Sequence, residues 1–163
     1  MTLMATPAAL RRVKALAEYE PSEPETREVL RPLFVADCLF AEVDADERYF
    51  DGSLVIGGRM PLEHIEALFS DLRCARRPRV GDMRRMRPNH EGVWKCHATG
   101  VRIFGWCAGV NCFVPVTAAL EVDLKDKRLD LYNLKQMQVL NFIETNDLGS
   151  LVMKGEILEI FPA

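Results

Sequence analysis

The stretch that decides the fold is residues 93–120, VWKCHATGVRIFGWCAGVNCFVPVTAAL. Three segments, 93–98, 101–107 and 112–121, alternate or run apolar as strands do. Thr99-Gly100 suits a two-residue hairpin turn with the glycine at positive φ. Ala108-Gly109-Val110-Asn111 suits a four-residue turn. The stretch therefore predicts a three-stranded antiparallel meander. Pro115 has no N–H to give a ladder, which puts its strand at an edge or at a bulge.

The turn fixes which side chains share a face. With Thr99-Gly100 as the loop, Ala98 faces Val101, His97 faces Arg102, Lys95 faces Phe104 and Val93 faces Trp106. Directly opposed residues lie on one side of a sheet. One face then carries Lys95, His97, Arg102, Phe104 and Trp106, and the second turn adds Phe113, Pro115 and Thr117. The other face carries Trp94, Cys96, Val101, Ile103, Cys107, Cys112, Val114, Val116 and Leu120. It is nearly all apolar and calls for helices against it. A slip of one residue would swap the faces, and the dry side is too uniform to tolerate that.

The polar face suggests phosphate chemistry. An arginine offers a planar fork for phosphate oxygens. A neighbouring cation favours the neutral imidazole, which accepts a proton near neutral pH. Aromatics beside them can stack bases. The plain alternative is a solubilising face whose aromatics are covered by the N-terminal segment.

Outward from the meander, residues 8–19 have Leu10, Val13, Leu16 and Ala17 at helical spacing and predict a first helix. Residues 20–32 hold three prolines and four glutamates and read as a linker. Residues 33–43 suit a strand or a buried helix. Asp51-Gly52 and Gly57-Gly58 mark turns around a strand-like Leu54-Val55-Ile56. Pro61 suits the first turn of a helix running to about Arg77, with Leu62, Ile65, Leu68, Phe69 and Leu72 as its apolar face. Leu131, Leu134, Met137, Leu140 and Ile143 predict a last helix, closed near Gly149. Residues 151–161 read as one more strand. The fold class expected is α+β, an antiparallel meander packed on helices, with additions at both ends. Residues 1–50 form an N-terminal embellishment and 51–163 the main domain.

Composition fits one soluble domain. The chain has 163 residues, 48% hydrophobic and 28% charged, ordinary for a globular protein. No apolar run reaches the length of a membrane helix, and no secretory signal is visible at the N-terminus. Five cysteines without a C-x-x-C pattern read as reduced thiols, so a cytoplasmic address is expected. The net charge of −3 is unevenly spread. Residues 1–51 sum to −5, residues 52–90 to +4 and residues 91–163 to −2. Arg73, Arg76, Arg77, Arg79, Arg84, Arg85 and Arg87 form a local basic stretch that would attract a polyanion. A solvated, Arg-rich helix end is the simpler alternative.

Helix, Arg-rich connector, Gly92-Val93-Trp94-Lys95-Cys96-His97 and then Val101-Arg102-Ile103-Phe104 resemble the RelE/ParE toxin superfamily, in its HigB-type, phage-derived branch. That family has a Gly-(Leu/Val)-Trp-Glu-Leu-Arg strand, an aromatic-Arg-(Val/Ile)-aromatic strand, a third apolar strand, a Lys-rich loop and a helix. Here the third strand is 112–120, the loop Lys125-Asp126-Lys127-Arg128, and the helix starts near Leu131. The resemblance spans about residues 54–146. It implies a toxin of a toxin–antitoxin pair that cleaves mRNA, ribosome-bound or free, as a metal-free endoribonuclease without a cofactor. Its partners would be RNA and an antitoxin protein.

Carried over by position, Arg102 is the phosphate-stabilising arginine, and His97 stands where the family often has arginine and is the candidate base. Tyr132 is a candidate for proton transfer. Lys125, Lys127 and Arg128 would grip the RNA backbone, with Lys95, Arg84, Arg85, Arg87, Phe104 and Trp106 as further RNA contacts. Lys95 departs from the usual glutamate, and the acidic charge and terminal additions depart from a small basic toxin. A non-catalytic protein-binding module of the same fold is the competing reading, since some relatives cleave nothing. A homodimeric regulator using the 73–87 arginines on DNA is a third.

Other constellations carry less. Cys96, His97 and His90 invite a metal reading, but Cys96 and His97 are adjacent strand residues pointing to opposite faces, so they cannot chelate one ion together, and a Cys/His nucleophilic pair fails on the same geometry unless another cysteine serves. Cys107 and Cys112 flank a turn but read as buried thiols. Asp44, Asp46, Glu47 and Asp51 lack Ca²⁺-loop spacing. His64 reads as a surface residue, and Gly57-Gly58 opens no phosphate loop.

Overall fold

The computed structural model describes residues 7–75, 83–86 and 92–162. The fold is α+β with antiparallel sheets. Its elements are α1 (Pro7–Arg11), β1 (Leu16–Glu18), β2 (Phe34–Ala36), α2 (Asp37–Asp44), α3 (Pro61–Cys74), β3 (Met83–Arg85), β4 (Trp94–Ala98), β5 (Val101–Gly109), β6 (Cys112–Leu120), α4 (Glu121–Leu124), α5 (Leu131–Thr145) and α6 (Ile157–Ile160). No helix among the described residues is long and apolar enough to cross a membrane.

The meander is present with the expected first register. Ala98 opposes Val101, His97 opposes Arg102 and Lys95 opposes Phe104. Gly100 takes φ 73°, the left-handed region that glycine enters without strain. A Cβ there would also run into Ile56. One strand was missed. β3, inside the Arg-rich stretch, pairs with β4 and makes the sheet four-stranded in the order β3-β4-β5-β6.

The second hairpin departs from expectation. Gly109 opposes Cys112 across a two-residue Val110-Asn111 turn, with Asn111 at φ 53°. Register shifts follow at Cys107/Gly109 and Phe104/Gly105. Each bulge inserts an unpaired residue and changes which side chains share a face. Trp106 therefore opposes Val114, and Phe113 moves across to oppose Cys107. Pro115 sits on the edge strand, opposite Gly105 and next to the bulged Val116. Gly105 itself has no room for a Cβ, which would collide with the Val114 carbonyl.

The expected half-wet sheet is instead covered on both sides. Trp94, Cys96, Ile103, Cys107 and Phe113 pack with Leu39, Ile65, Phe69, Leu72 and Phe161. Phe104, Trp106, Val114, Val116 and Val93 pack with Leu10, Phe34, Val139 and Val152. The leading segment and α5 thus cover the Phe104–Trp106 half of the second face. Leu33, Val35 and Leu39, from before residue 51, share the first cluster with the sheet.

Further expectations are corrected or refined. The first helix ends at Arg11, and Leu16–Glu18 pairs with β2 instead. Residues 33–43 are both a strand and a helix. Residues 151–161 form no strand: Met153 N–H donates to the Cys107 carbonyl and Asn111 N–H to that of Ile160, while α6 seats Ile160 and Phe161 in the core. On α5, Leu134 and Met137 are exposed while Gln136 and Val139 are buried. Five residues spaced by three sweep around a helix with 3.6 residues per turn, so they never formed one face. α3 begins at Pro61 and buries Ile65, Phe69 and Leu72 as expected, but ends at Cys74.

Candidate functional site

β3 and β4 bring Arg84 and Lys95 directly opposite each other. Like charges so placed repel. Among the described residues, no carboxylate pairs with either. The Lys95 ammonium instead lies 4.7 Å over the Tyr132 ring, a cation–π contact. Tyr132, from the first turn of α5, stands edge-on to Phe104 at 6.1 Å between centroids. Burial, and then repulsion from Arg102 and Arg84, hold the Lys95 pKa below the ordinary lysine value. Lys95 and Arg102 share a face as expected, and β3 and α5 bring Arg84 and Tyr132 to the same place.

Arg102 is more constrained than expected. Its Nη1 donates to the Ala98 and Val101 carbonyls at 3.1 and 3.0 Å. Its Nη2 lies 3.4 Å from Glu121 Oε1, and its side chain is 14% exposed. Glu121 also holds Lys125 at 3.4 Å. Opposite Arg102, His97 is half-buried, and its Nε2 is shut away from solvent.

Several expected contacts do not join the cluster. Phe104 and Trp106 are fully buried, so they offer no face to a base. Arg128 grips Asp126 through Nε and Nη2 at 3.0 and 2.9 Å, and each holds the other in its charged form. Arg85 pairs with Glu156 at 3.0 Å. Lys127 is exposed on the same loop as Arg128. Arg76, Arg77, Arg79, Arg87 and His90 lie outside the described residues. Arg73 stacks over the Tyr19 ring at 5.8 Å. All five cysteines are free. Burial pushes Cys112 up to about 11 and Cys107 well above the ordinary thiol range, so both are protonated at neutral pH. Cys96 lies in the core behind His97, on the opposite face. Among the described residues, no group of three His, Cys, Asp or Glu side chains could hold a metal ion.

The chain matches no protein-family profile, no curated protein and no solved structure. The site is defined by its own geometry.

That geometry includes two places the sequence did not reveal. A cleft of about 560 Å³ opens beside the turn of the β4–β5 hairpin, with His97, Arg102 and Glu121 on one side and His64, Asp71 and Arg59 on the other. His64 is half-buried rather than on the surface, its Nε2 2.6 Å from the Ile56 carbonyl. No local spacing announces this cleft, because the 51–60 loop reaches the hairpin turn only in three dimensions. The one hint was Gly57-Gly58, whose positive φ values of 60° and 77° fold Ile56 against Arg59 and so toward Gly100. The second place is a charged cluster at the β6 edge, where Glu42 meets Thr117 and Lys135 at hydrogen-bond distance.

Proposed function

We propose that this chain is an RNA-directed protein of the RelE/ParE type, HigB-like, that grips an RNA strand through Arg84, Lys95 and Arg102 and cleaves it without a metal. The observation that supports it is the crowding of three cations on one face, with Lys95 held part-buried and without a counter-ion among the described residues. An unbalanced cluster of this kind favours an anionic ligand, and a run of phosphates supplies charge at a matching spacing. RNA on ribosomes or free in the cytoplasm is the substrate class, and an antitoxin protein is the partner.

In the cleavage step, His97 takes the proton of a ribose 2′-hydroxyl. The 2′-oxygen bonds to the adjacent phosphorus, and the bond from phosphorus to the 5′-oxygen breaks. Tyr132 returns a proton to that leaving oxygen, leaving a 2′,3′-cyclic phosphate and a 5′-hydroxyl. Arg102 and Lys95 stabilise the crowded dianionic phosphorane. A specific observation favours the second reading, a non-catalytic protein-binding module of the same fold. His97 Nε2 is buried and Arg102 Nη1 is tied to two backbone carbonyls, so both lack the freedom that a reacting pair needs.

The test is incubation of the purified chain with end-labelled mRNA in the presence of a chelator. Cyclic-phosphate ends that vanish with His97→Ala support the nuclease. RNA that is retained but uncut keeps the grip and overturns the cleavage step. RNA that is neither bound nor cut sinks the RNA reading and favours the protein-binding module.

A further inference from the structure

The cleft beside the Thr99–Gly100 turn is not used by the strand-gripping cations, except through Arg102, and the candidate base His97 also lines it. Its volume of about 560 Å³ lies inside the range of small-ligand pockets, roughly 300–1,000 Å³. Its walls are of two kinds. Ile56, Ala67 and Leu68 supply apolar surface, while Arg59 and Arg102 supply positive charge.

The carboxylates at the cleft are already balanced. Asp71 receives the Arg27 guanidinium at 2.8 Å. Glu121 is shared by Arg102 and Lys125, each at 3.4 Å. Arg59, exposed at the rim, has no ion-pair partner among the described residues. The cleft is thus left with a positive excess, which selects an anion. His64 adds a polar feature. The Ile56 carbonyl can only accept, so His64 Nε2 must donate to it, and the neutral ring keeps Nδ1 as an acceptor. An anion with a flat, partly apolar body and N–H groups answers to all of these features.

We propose that the cleft takes a single nucleotide, with its phosphate toward Arg59 and Arg102 and its base between Ile56 and Leu68. The proposal rests on the RNA-directed reading for its source: the nucleotide belongs to the strand held by Arg84 and Lys95, and Arg102 adjoins both places. The cleft would then be where one base is sampled, while the cation cluster holds the backbone whatever its sequence.

The experiment is calorimetric titration of the full chain with each of the four nucleoside 5′-monophosphates, with inorganic phosphate, and separately with a short single-stranded RNA. Saturable binding of at least one mononucleotide near or below about 1 mM is expected. It should weaken about tenfold or more in Arg59→Ala, which alters only an exposed side chain. It should be lost in Thr99→Trp, which fills the cleft from the turn; an unchanged melting temperature shows that both variants are folded. RNA binding without mononucleotide binding overturns the cleft proposal and leaves the RNA reading standing. Equal affinity for phosphate alone overturns it too, since the base would then add nothing. Mononucleotide binding unaffected by either variant places the ligand elsewhere and overturns it as well. Mononucleotide binding lost in both variants, with no affinity for RNA, supports the site and overturns the strand that was to supply it.

Discussion

Two polar clusters flank the meander, and they differ in how their charge is balanced. At the β6 edge, the Glu42 carboxylate accepts from the Lys135 ammonium at 2.7 Å, from the Thr117 hydroxyl at 2.8 Å and from the Ala118 N–H at 3.1 Å. Lys135 also donates to the Thr117 hydroxyl at 3.0 Å. Edge strands expose unpaired backbone groups, and here a side chain of α2 satisfies one of them while a side chain of α5 neutralises the first. The cluster clips two helices to a strand and needs nothing from outside. At the opposite edge of the same face, Arg84, Lys95 and Arg102 meet with Glu121 as the one carboxylate paired with them among the described residues, and that carboxylate also serves Lys125. The same residue types make a structural clip where charge closes and a ligand-ready surface where it does not.

The largest expected effect falls on the closed cluster. Glu42→Ala strands the Lys135 ammonium, whose side chain is only 12% exposed, and leaves the Ala118 N–H without its acceptor. Loss of one partner from such a pair should destabilise the fold by about 3 kcal/mol. For a chain of this length that corresponds to a melting temperature lower by roughly 6–12 °C. The double variant Glu42→Leu/Lys135→Met should recover most of the loss, because two apolar groups leave no orphaned charge. Thermal unfolding followed by circular dichroism reads both. A double variant no better than the single one would mean that the cluster does more than clip.

The contrast also explains what the sequence could and could not disclose. The β4–β5 register was legible because Thr99-Gly100 admits one tight turn and the alternation of Trp94, Cys96 and Ile103 against Lys95, His97 and Arg102 fixes the faces. The β5–β6 register was not, because Gly105 and Pro115 impose a bulge whose consequence, the crossing of Phe113, depends on packing rather than spacing. Burial of Phe104 and Trp106 depended on where the leading segment and α5 come to rest. Grouping Lys95 with Arg102 and Tyr132 was legible, since strand pairing and the resemblance both brought them together. Glu42, 75 residues from Thr117, and His64 beside the hairpin turn are products of long-range contact alone.

The open cluster can be pushed in either direction. Glu121→Gln removes its carboxylate and should tighten RNA binding, with log K falling more steeply against log[salt] by about 0.7, the increment for one more effective charge on a single strand. Lys95→Met should do the reverse, making that slope shallower by about 0.7. It should also raise the melting temperature slightly at neutral pH. Lys95 is held below the ordinary lysine pKa, so the folded chain binds that proton less tightly than the unfolded chain does. The penalty is fully present below the lowered folded value, where both states are charged. It is relieved as pH rises from that value to the ordinary one. Wild type should gain stability across that alkaline window relative to Lys95→Met. Parallel pH profiles for the two would mean that Lys95 carries no such strain.

The smallest effect is expected at Arg128, and it tests where the open cluster ends. Its guanidinium is 88% exposed and held by Asp126 in the same loop. Solvent screens an exposed pair of this kind, so Arg128→Ala should barely move the melting temperature. Asp126 occupies the Nε–Nη2 edge of the fork and offsets its charge. The salt slope of RNA binding should therefore stay within error of wild type, measured by fluorescence anisotropy between low and physiological salt. A drop of about 0.7 would mean that the strand displaces Asp126 and takes Arg128 for itself. The balanced pair would then be a latent part of the unbalanced site, and the line drawn between the two kinds of cluster would move to include the loop.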